Sequence, residues 1–269
     1  MSKTVLITGA SSGMGEEAVF QYVERGWNVV ATMRDTSKAN PHFAALDEVL
    51  VLRMDVTDAP GIERAVSTAI DRFGSVDAVM NNAGYGQLGA LEEVTPQQIR
   101  AQYETNVIGP VLVIQAVLPH MRERRSGHIL NVGSMGGHVS LPTMAVYTSS
   151  KSAVQNLTEG LAKEVGPLGI HVTLVEPAGC TTSFGSNAQP VANRLPDYDP
   201  AYSAMAEFAA TSVRGDLAKS MAAVVEITGT DAPPLHLAVG AFGLDLVRGR
   251  FEELMAEYEE WEHVTRTTG

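Results

Sequence analysis

Seven short apolar runs, rich in β-branched residues, punctuate the chain, and stretches long enough for helices separate most of them. The runs are TVLIT from Thr4, NVVAT from Asn28, VLVLRMD from Val49, VDAVMNN from Val76, HILNVGS from His128, IHVTLVEP from Ile170 and LHLAV from Leu235. The intervening stretches include Gly15 to Arg25, Ile62 to Phe73 and Pro96 to Met121. Strand alternating with helix calls for crossover connections, and crossovers produce a parallel sheet with helices on both faces. The runs are apolar almost throughout rather than every second residue, as strands covered on both faces must be. The expected fold is therefore α/β, a doubly wound parallel sheet of about seven strands. No linker, repeat or low-complexity tract divides the 269 residues, so 1–269 reads as one domain.

One segment departs from this rhythm. From Ser183 to Asp216 the chain carries Pro190, Pro196 and Pro200, with Tyr198, Tyr202, Met205 and Phe208 among them. It reads either as a surface excursion holding a short helix or as a mobile lid at about 183–216 that lays apolar side chains over a substrate.

Charge and cysteine usage narrow the classes of function. Lys and Arg number 19 against 31 Asp and Glu, a formal net charge of −12. Nucleic-acid binding wants a basic face, so no nucleic-acid partner is expected, and an anionic ligand would need local positive features. No run approaches the ~20 apolar residues of a membrane span, and Val5-Leu6-Ile7 after Lys3 is too short for a signal peptide. The single cysteine, Cys180, cannot form an internal disulfide and reads as a small buried filler. These features together suggest a cytoplasmic protein with no membrane association. The seven histidines show no paired ligand spacing along the sequence, so no metal is expected.

The first positive feature follows the first strand, in TGASSGMG from Thr8 to Gly15. Gly9, Gly13 and Gly15, with Ser11, Ser12 and Met14 between them, let backbone N–H groups approach a pyrophosphate, and the helix N-terminus adds about half a positive charge. The spacing is G-x-x-x-G-x-G rather than the G-x-G-x-x-G of many dinucleotide sites. At the end of the second strand stands VVATMRDTSK. Arg34 there would welcome the 2′-phosphate of NADP, whereas Asp35 would accept hydrogen bonds from the ribose hydroxyls of NAD. Arg34 comes first, so NADP(H) is preferred and NAD(H) stays open.

The second feature is AVYTSSKSAVQNLTEGLAKEV from Ala145. Read as a helix, its apolar face collects Val154, Leu161 and Val165 and continues back through Lys151 to Tyr147. A lysine on a core-facing stripe must pair, neutralise or sit at a functional cleft. At i and i+4 the two side chains stack, and an ammonium beside a phenol favours the phenolate. Each pKa unit is worth ~1.4 kcal/mol, so several kcal/mol are needed to make a phenol of ordinary pKa near 10 shuttle protons at neutrality. Ser134, 13 positions earlier at the end of HILNVGS, can hold a reacting oxygen beside that phenol. In IRAQYETNVIGPVLVIQAVL, Pro110 lies four residues after Asn106 and cannot donate to its carbonyl, which leaves the helical ladder.

In their order and separations these marks resemble the short-chain dehydrogenase/reductase superfamily, in its shorter single-domain branch. They are Thr8-Gly9-x-x-x-Gly13-x-Gly15, Asp55 after the third strand, Asn81-Asn82-Ala83-Gly84 after the fourth, Asn106, Ser134, Tyr147-x-x-x-Lys151 and a loop containing Pro177. The resemblance runs through nearly the whole chain to about Glu176 and is weaker afterwards. It implies a single-domain Rossmann-type fold, a nicotinamide dinucleotide and hydride transfer between a carbonyl and an alcohol. Tyr147 would be the general acid/base, and Asn106, Ser134, Tyr147 and Lys151 the catalytic set. Lys151 would also bond the nicotinamide ribose, and the Asn106 carbonyl would hold a water that completes a proton path. Asp55 and Val56 would lie at the adenine. Asn82, Ala83 and Gly84 would line the sheet edge, and Pro177, Gly179 and Thr182 would meet the nicotinamide.

Two departures stand out: Gly133 occupies a place where the family often has a second serine, and Ala178 intervenes between Pro177 and Gly179. The substrate would be a mostly apolar small carbonyl or alcohol, with Gly136, His138, Met144, Phe184, Met205 and Phe208 as candidate contacts. An NAD-dependent dehydrogenase of steroid- or retinol-like alcohols is the alternative, and a non-catalytic dinucleotide-sensing regulator a remote one. The family commonly assembles as homodimers or homotetramers, although the acidic tail FEELMAEYEEWEHV from Phe251 could alter that.

Overall fold

Each of the seven apolar runs forms a strand, and all seven pair in parallel. The structure, a computed structural model, describes residues 2–179 and 188–269. In chain order its elements begin β1 (Thr4–Thr8), α1 (Gly13–Glu24), β2 (Asn28–Met33), β3 (Val49–Arg53), α2 (Ala59–Phe73), β4 (Ala78–Asn81) and β5 (Gln87–Leu88). They continue with α3 (Pro96–Tyr103), α4 (Gly109–Arg124), β6 (Gly127–Val132), α5 (Ala145–Val165), β7 (Ile170–Pro177) and β8 (Gln189–Pro190). The chain closes with α6 (Asp199–Thr211), α7 (Leu217–Thr228), β9 (His236–Val239), α8 (Ala241–Glu260) and α9 (Glu262–Thr265). The main sheet has the order β3-β2-β1-β4-β6-β7-β9. The order reverses between β1 and β4, and ligands of open α/β sheets bind beyond the carboxyl ends of the strands at such a point.

Period-two alternation explains why both faces are covered. Val5 and Ile7 point to one side of β1, into a cluster with Tyr22 of α1 and Val224 of α7. Leu6 points to the other, into a cluster with Ile62 of α2, Val113 of α4 and Val165 of α5. Each fully buried aliphatic side chain contributes about 1.5–3 kcal/mol, so these two layers hold the sheet. Tyr22 reaches its depth by pairing its hydroxyl with Thr228 Oγ1 at 2.9 Å, and burial pushes its pKa up.

The run expected as one helix from Pro96 to Met121 is three pieces. Thr95 starts α3 in a reciprocal capping box with Gln98. A π turn over Glu104–Ile108, in which the Gly109 N–H reaches the Glu104 carbonyl, then inserts one residue before α4. The insertion moves Pro110 into the first turn of α4, where a missing N–H costs least.

The proline-rich excursion contains the short helix α6 and is fastened at its base. β8 pairs with β5, and buried Val191 packs with Val94 and Val146. The Leu195 N–H and the Tyr202 hydroxyl donate to Glu93, and the Tyr198 hydroxyl donates to Glu92 at 2.5 Å. Cys180, Thr181, Thr182, Ser183 and Phe184 lie outside the described residues. Among those described, no helix is long and apolar enough to cross a membrane.

Candidate active site

The glycine turn and the segment after β4 are held together by one threonine. Thr8 Oγ1 accepts from the N–H groups of Asn82 and Ala83, both at 2.9 Å. The Asn82 amide in return donates to the carbonyls of Thr8 and Gly9 at 2.9 and 3.1 Å. Gly9 has φ +69°, and a Cβ there would lie 2.9 Å from the Ala83 Cα. A Cβ on Gly15 would stand 2.4 Å from the Gly9 carbonyl oxygen, so the turn closes only with glycine at that position. Ser12 caps α1 in an extended conformation without a side-chain cap bond, which leaves the first-turn N–H groups for an anion. Ser11 is partly exposed beside it, and Met14 leans on the core. This cradle fits a dinucleotide pyrophosphate, and Thr8 is a residue to which the sequence assigned no separate role.

At the end of β2, Arg34 and Asp35 are both exposed. Asp35 Oδ1 accepts from the Ser37 N–H at 3.1 Å and the Ser37 hydroxyl at 2.7 Å, and these hydrogen bonds hold its carboxyl below the usual range. Arg34 has no ion-pair partner among the described residues. Burial raises the pKa of the Tyr85 phenol, just past Gly84, and the charge of Arg34 partly offsets that rise. At the end of β3, Asp55 Oδ1 accepts from the Thr57 N–H at 2.9 Å and the Thr57 hydroxyl at 2.8 Å. One of its oxygens is therefore a local cap and the other remains for a ligand. Val56 is buried beneath Gly109, where a Cβ would meet its Cγ2 at 2.8 Å.

Tyr147 and Lys151 share the buried face of α5, at 7% and 6% exposure. Ser134, which ends the turn out of β6, hydrogen-bonds the Tyr147 phenol, and its Oγ also accepts from the Gly136 N–H at 3.0 Å. Gly136 packs against both groups: a Cβ there would stand 3.3 Å from Ser134 Oγ and 3.6 Å from Tyr147 Cε1. The Lys151 ammonium lies 5.9 Å from the phenol ring centre and donates to the Val132 carbonyl at 2.8 Å. In the protein alone, burial pushes the Tyr147 phenol up to about 12 while the Ser134 bond pulls it down. This differs from the acidified phenol expected from the Tyr147–Lys151 spacing. Burial is the largest cause, and it also lowers Lys151 to about 8, which leaves the amine mostly charged at neutrality.

Asn106 sits on the π turn and works through its side chain as well. Its amide donates to the Tyr85 carbonyl at 3.0 Å and to Ser150 Oγ at 3.2 Å, and its Oδ1 accepts from the Tyr85 N–H at 3.2 Å. Ser150 Oγ donates to the Tyr147 carbonyl at 2.6 Å. The asparagine thus links the segment after β4 to the helix that carries the phenol.

Pro177 ends β7, and Gly179 follows with φ +61°. The inserted Ala178 has a packing role: its N–H donates to the Val239 carbonyl at 3.0 Å, and a Cβ on Gly243 of α8 would overlap its own Cβ at 2.0 Å. Thr182 and Phe184 fall outside the described residues. Of the other candidate substrate contacts, Met144 is buried at the start of α5, where its carbonyl accepts from the Thr148 N–H at 2.9 Å. Met205 and Phe208 lie partly buried on α6, and the Phe208 ring packs on Phe242 at 6.2 Å. His138 is turned to the Glu176 carboxylate, with its ring against Phe251 at 5.4 Å.

Residues 3–192 match the family described as short chain dehydrogenase. A 3-ketodihydrosphingosine reductase of Bacteroides thetaiotaomicron is 35% identical over 240 residues, spanning 88% of this chain and 87% of its own. A short-chain dehydrogenase of Streptomyces avermitilis superposes with a TM-score of 0.93 at 37% identity, with both chains covered completely. A short-chain dehydrogenase/reductase of Burkholderia phymatum, solved in complex with NAD, superposes with a TM-score of 0.81 at 25% identity over 95% of each chain.

Proposed function

The chain belongs to the short-chain dehydrogenase family of NAD(P)-dependent oxidoreductases, and on that premise we propose that it moves a hydride between NADP(H) and a mostly apolar carbonyl or alcohol. The observation that carries this reading is the convergence of Ser134, Tyr147 and Lys151 on one buried spot at the carboxyl edge of the sheet. When bound, a nicotinamide would supply or accept the hydride. Gly9, Gly13 and Gly15 with the first turn of α1 would hold its pyrophosphate, and Asp55, Val56, Asn82, Ala83 and Gly84 would line its course. Pro177 and Gly179 would meet its carboxamide.

The chain's own groups handle the proton. In the protein alone, burial raises the phenol to about 12, so Tyr147 keeps its proton at neutrality and can donate it to a carbonyl oxygen. Running the reaction as an oxidation requires stabilisation of the phenolate. A charged Lys151 and a cationic nicotinamide both act in that direction. Ser134 would bond the reacting oxygen beside the phenol. Lys151 would hold the nicotinamide ribose, and the Asn106 carbonyl, facing a proline that cannot donate, would hold a water on the path to solvent.

Arg34 supports NADP, because it is exposed and unpaired among the described residues while Asp35 caps its own turn. The free oxygen of Asp35 favours the second reading, an NAD-dependent dehydrogenase of steroid- or retinol-like alcohols. A ketone substrate is supported by the 3-ketodihydrosphingosine reductase among the relatives. The segment at about 183–216, whose described residues Leu195, Tyr198 and Tyr202 are fastened at Glu92 and Glu93, would close over it as a lid. Fluorescence titration with NADPH and NADH, followed by cofactor absorbance against a panel of ketones and aldehydes, tests the proposal. Tighter NADPH binding with turnover of apolar ketones supports it, and NADH binding as tightly as NADPH rejects the cofactor choice.

A further inference from the structure

Along the sequence no histidines are spaced as metal ligands, yet the fold brings two of them to one carboxylate. His138 follows the turn that Ser134 opens, Glu176 stands one residue before the end of β7, and His236 begins β9. β7 and β9 pair with Leu174 opposite His236, so Glu176, two residues on, shares that face of the sheet. One donor atom from each of the three residues lies within 4.8 Å of the others. His138 Nε2 meets Glu176 Oε1, and His236 Nδ1 is 3.4 Å from Glu176 Oε2. A tetrahedral zinc with bonds of about 2.0–2.1 Å sets its ligand atoms about 3.4 Å apart, the separation of His236 Nδ1 from Glu176 Oε2. His138 Nε2, by contrast, hydrogen-bonds Glu176 Oε1 directly and would give up that bond and its proton to the ion.

The surroundings match a ligand set as well. The other nitrogen of His236, Nε2, faces Glu159 Oε1 of α5 at 3.7 Å. At that distance Glu159 makes no direct hydrogen bond, but its charge favours a proton on Nε2 and so an Nδ1 lone pair turned inward, and a small shift would complete the carboxylate support usual for a metal-bound imidazole. The side chains of His138 and Glu176 are 9% and 8% exposed, while His236 and Glu159 are 39% and 35% exposed. The site therefore has a dry floor and an open side through which an ion can enter.

We propose that His138, Glu176 and His236 bind a zinc-like divalent cation, with an open fourth position. Two imidazoles select a borderline metal over Mg²⁺ or Ca²⁺, which want oxygen ligands. The ion fastens the serine turn, the end of β7 before Pro177 and the start of β9 to one another. It is a positioning and stability site, and the hydride chemistry does not depend on it.

The test is calorimetric titration of chelator-treated full-length protein with ZnCl₂, and with MgCl₂ in parallel. The expected result is one equivalent of zinc bound, a raised melting temperature, no Mg²⁺ binding, and visible d–d absorption when Co²⁺ replaces Zn²⁺. His236→Asn and Glu176→Gln should each abolish stoichiometric binding, and Glu159→Gln should weaken it about 10-fold. Should Glu176→Gln fail to fold, His236→Asn, on the open side, still decides. Absence of stoichiometric zinc binding overturns the proposal, as does affinity unchanged in His236→Asn or Mg²⁺ bound as tightly as zinc.

Discussion

Lys151 lies one helical turn beyond Tyr147 on the buried face of α5, its ammonium 5.9 Å from the phenol ring centre and bonded to the Val132 carbonyl at 2.8 Å. A helix repeat of 3.6 puts both groups on one stripe, and packing against β7 and the turn after β6 takes both out of water. Burial works against both charged forms: the phenol holds its proton more tightly and the amine more loosely. The resting pair is thus a protonated donor beside an amine that is still mostly charged at neutrality.

Folded Lys151 loses its proton near 8, whereas in the unfolded chain it keeps it to about 10.5. Between those values the unfolded state binds more protons, so stability rises with pH across that window and is lost as pH falls through about 8. The gain at alkaline pH is on the order of 3 kcal/mol. Urea unfolding of cofactor-free protein near pH 7 and near pH 10 should show parent stability rising relative to Lys151→Met. Making the same comparison in a Tyr147→Phe background removes the titration of the coupled phenol.

Gly15→Ala should both destabilise the protein and weaken the cofactor. The new methyl would meet the Gly9 carbonyl oxygen at 2.4 Å, which is backbone and cannot turn aside. Strain of this kind costs about 1–3 kcal/mol. The expectation is a melting temperature lower by several degrees and dinucleotide affinity reduced more than about 10-fold, equal to 1.4 kcal/mol, in thermal and fluorescence titrations.

Arg34→Ser should weaken NADPH about 10- to 100-fold, or about 1.4–2.7 kcal/mol. NADH affinity should barely change, because Asp35 keeps its cap on Ser37. Equal losses for both cofactors would show that Arg34 holds something other than a 2′-phosphate.

Glu93 fastens the base of the excursion, accepting from the Ala90 and Leu195 N–H groups and the Tyr202 hydroxyl. Glu93→Ala should speed proteolysis within 188–216 and raise the KM for an apolar ketone several-fold, with NADPH affinity unchanged. Limited digestion followed by mass spectrometry, alongside steady-state kinetics, checks both.

The strands and their parallel direction were legible because continuous apolar runs and crossover helices are local properties, whereas the order of the strands came from the fold. Other features depend on what the fold brings together. The π turn arises where Asn106 is drawn to Tyr85 and Ser150, partners 21 and 44 positions away. The caps Asp35-x-Ser37 and Asp55-x-Thr57 were readable as short carboxylates with a hydroxyl two residues on, a pattern that competes with ligand binding. The packing role of Ala178 needed Gly243 opposite it, and the meeting of His138, Glu176 and His236 needed β9 beside β7. The direction of the phenol shift depended on depth of burial, which spacing alone does not carry.

The central claim is that the Tyr147 phenol carries the proton, and the most direct measurement compares Tyr147→Phe with the parent by NADPH titration and by single-turnover reduction of a reactive ketone. Tyr147→Phe should bind NADPH within about 2-fold of the parent, while its hydride-transfer rate falls by about 10²- to 10⁴-fold. A variant that binds NADPH normally and reduces the ketone at the parent rate would contradict the claim.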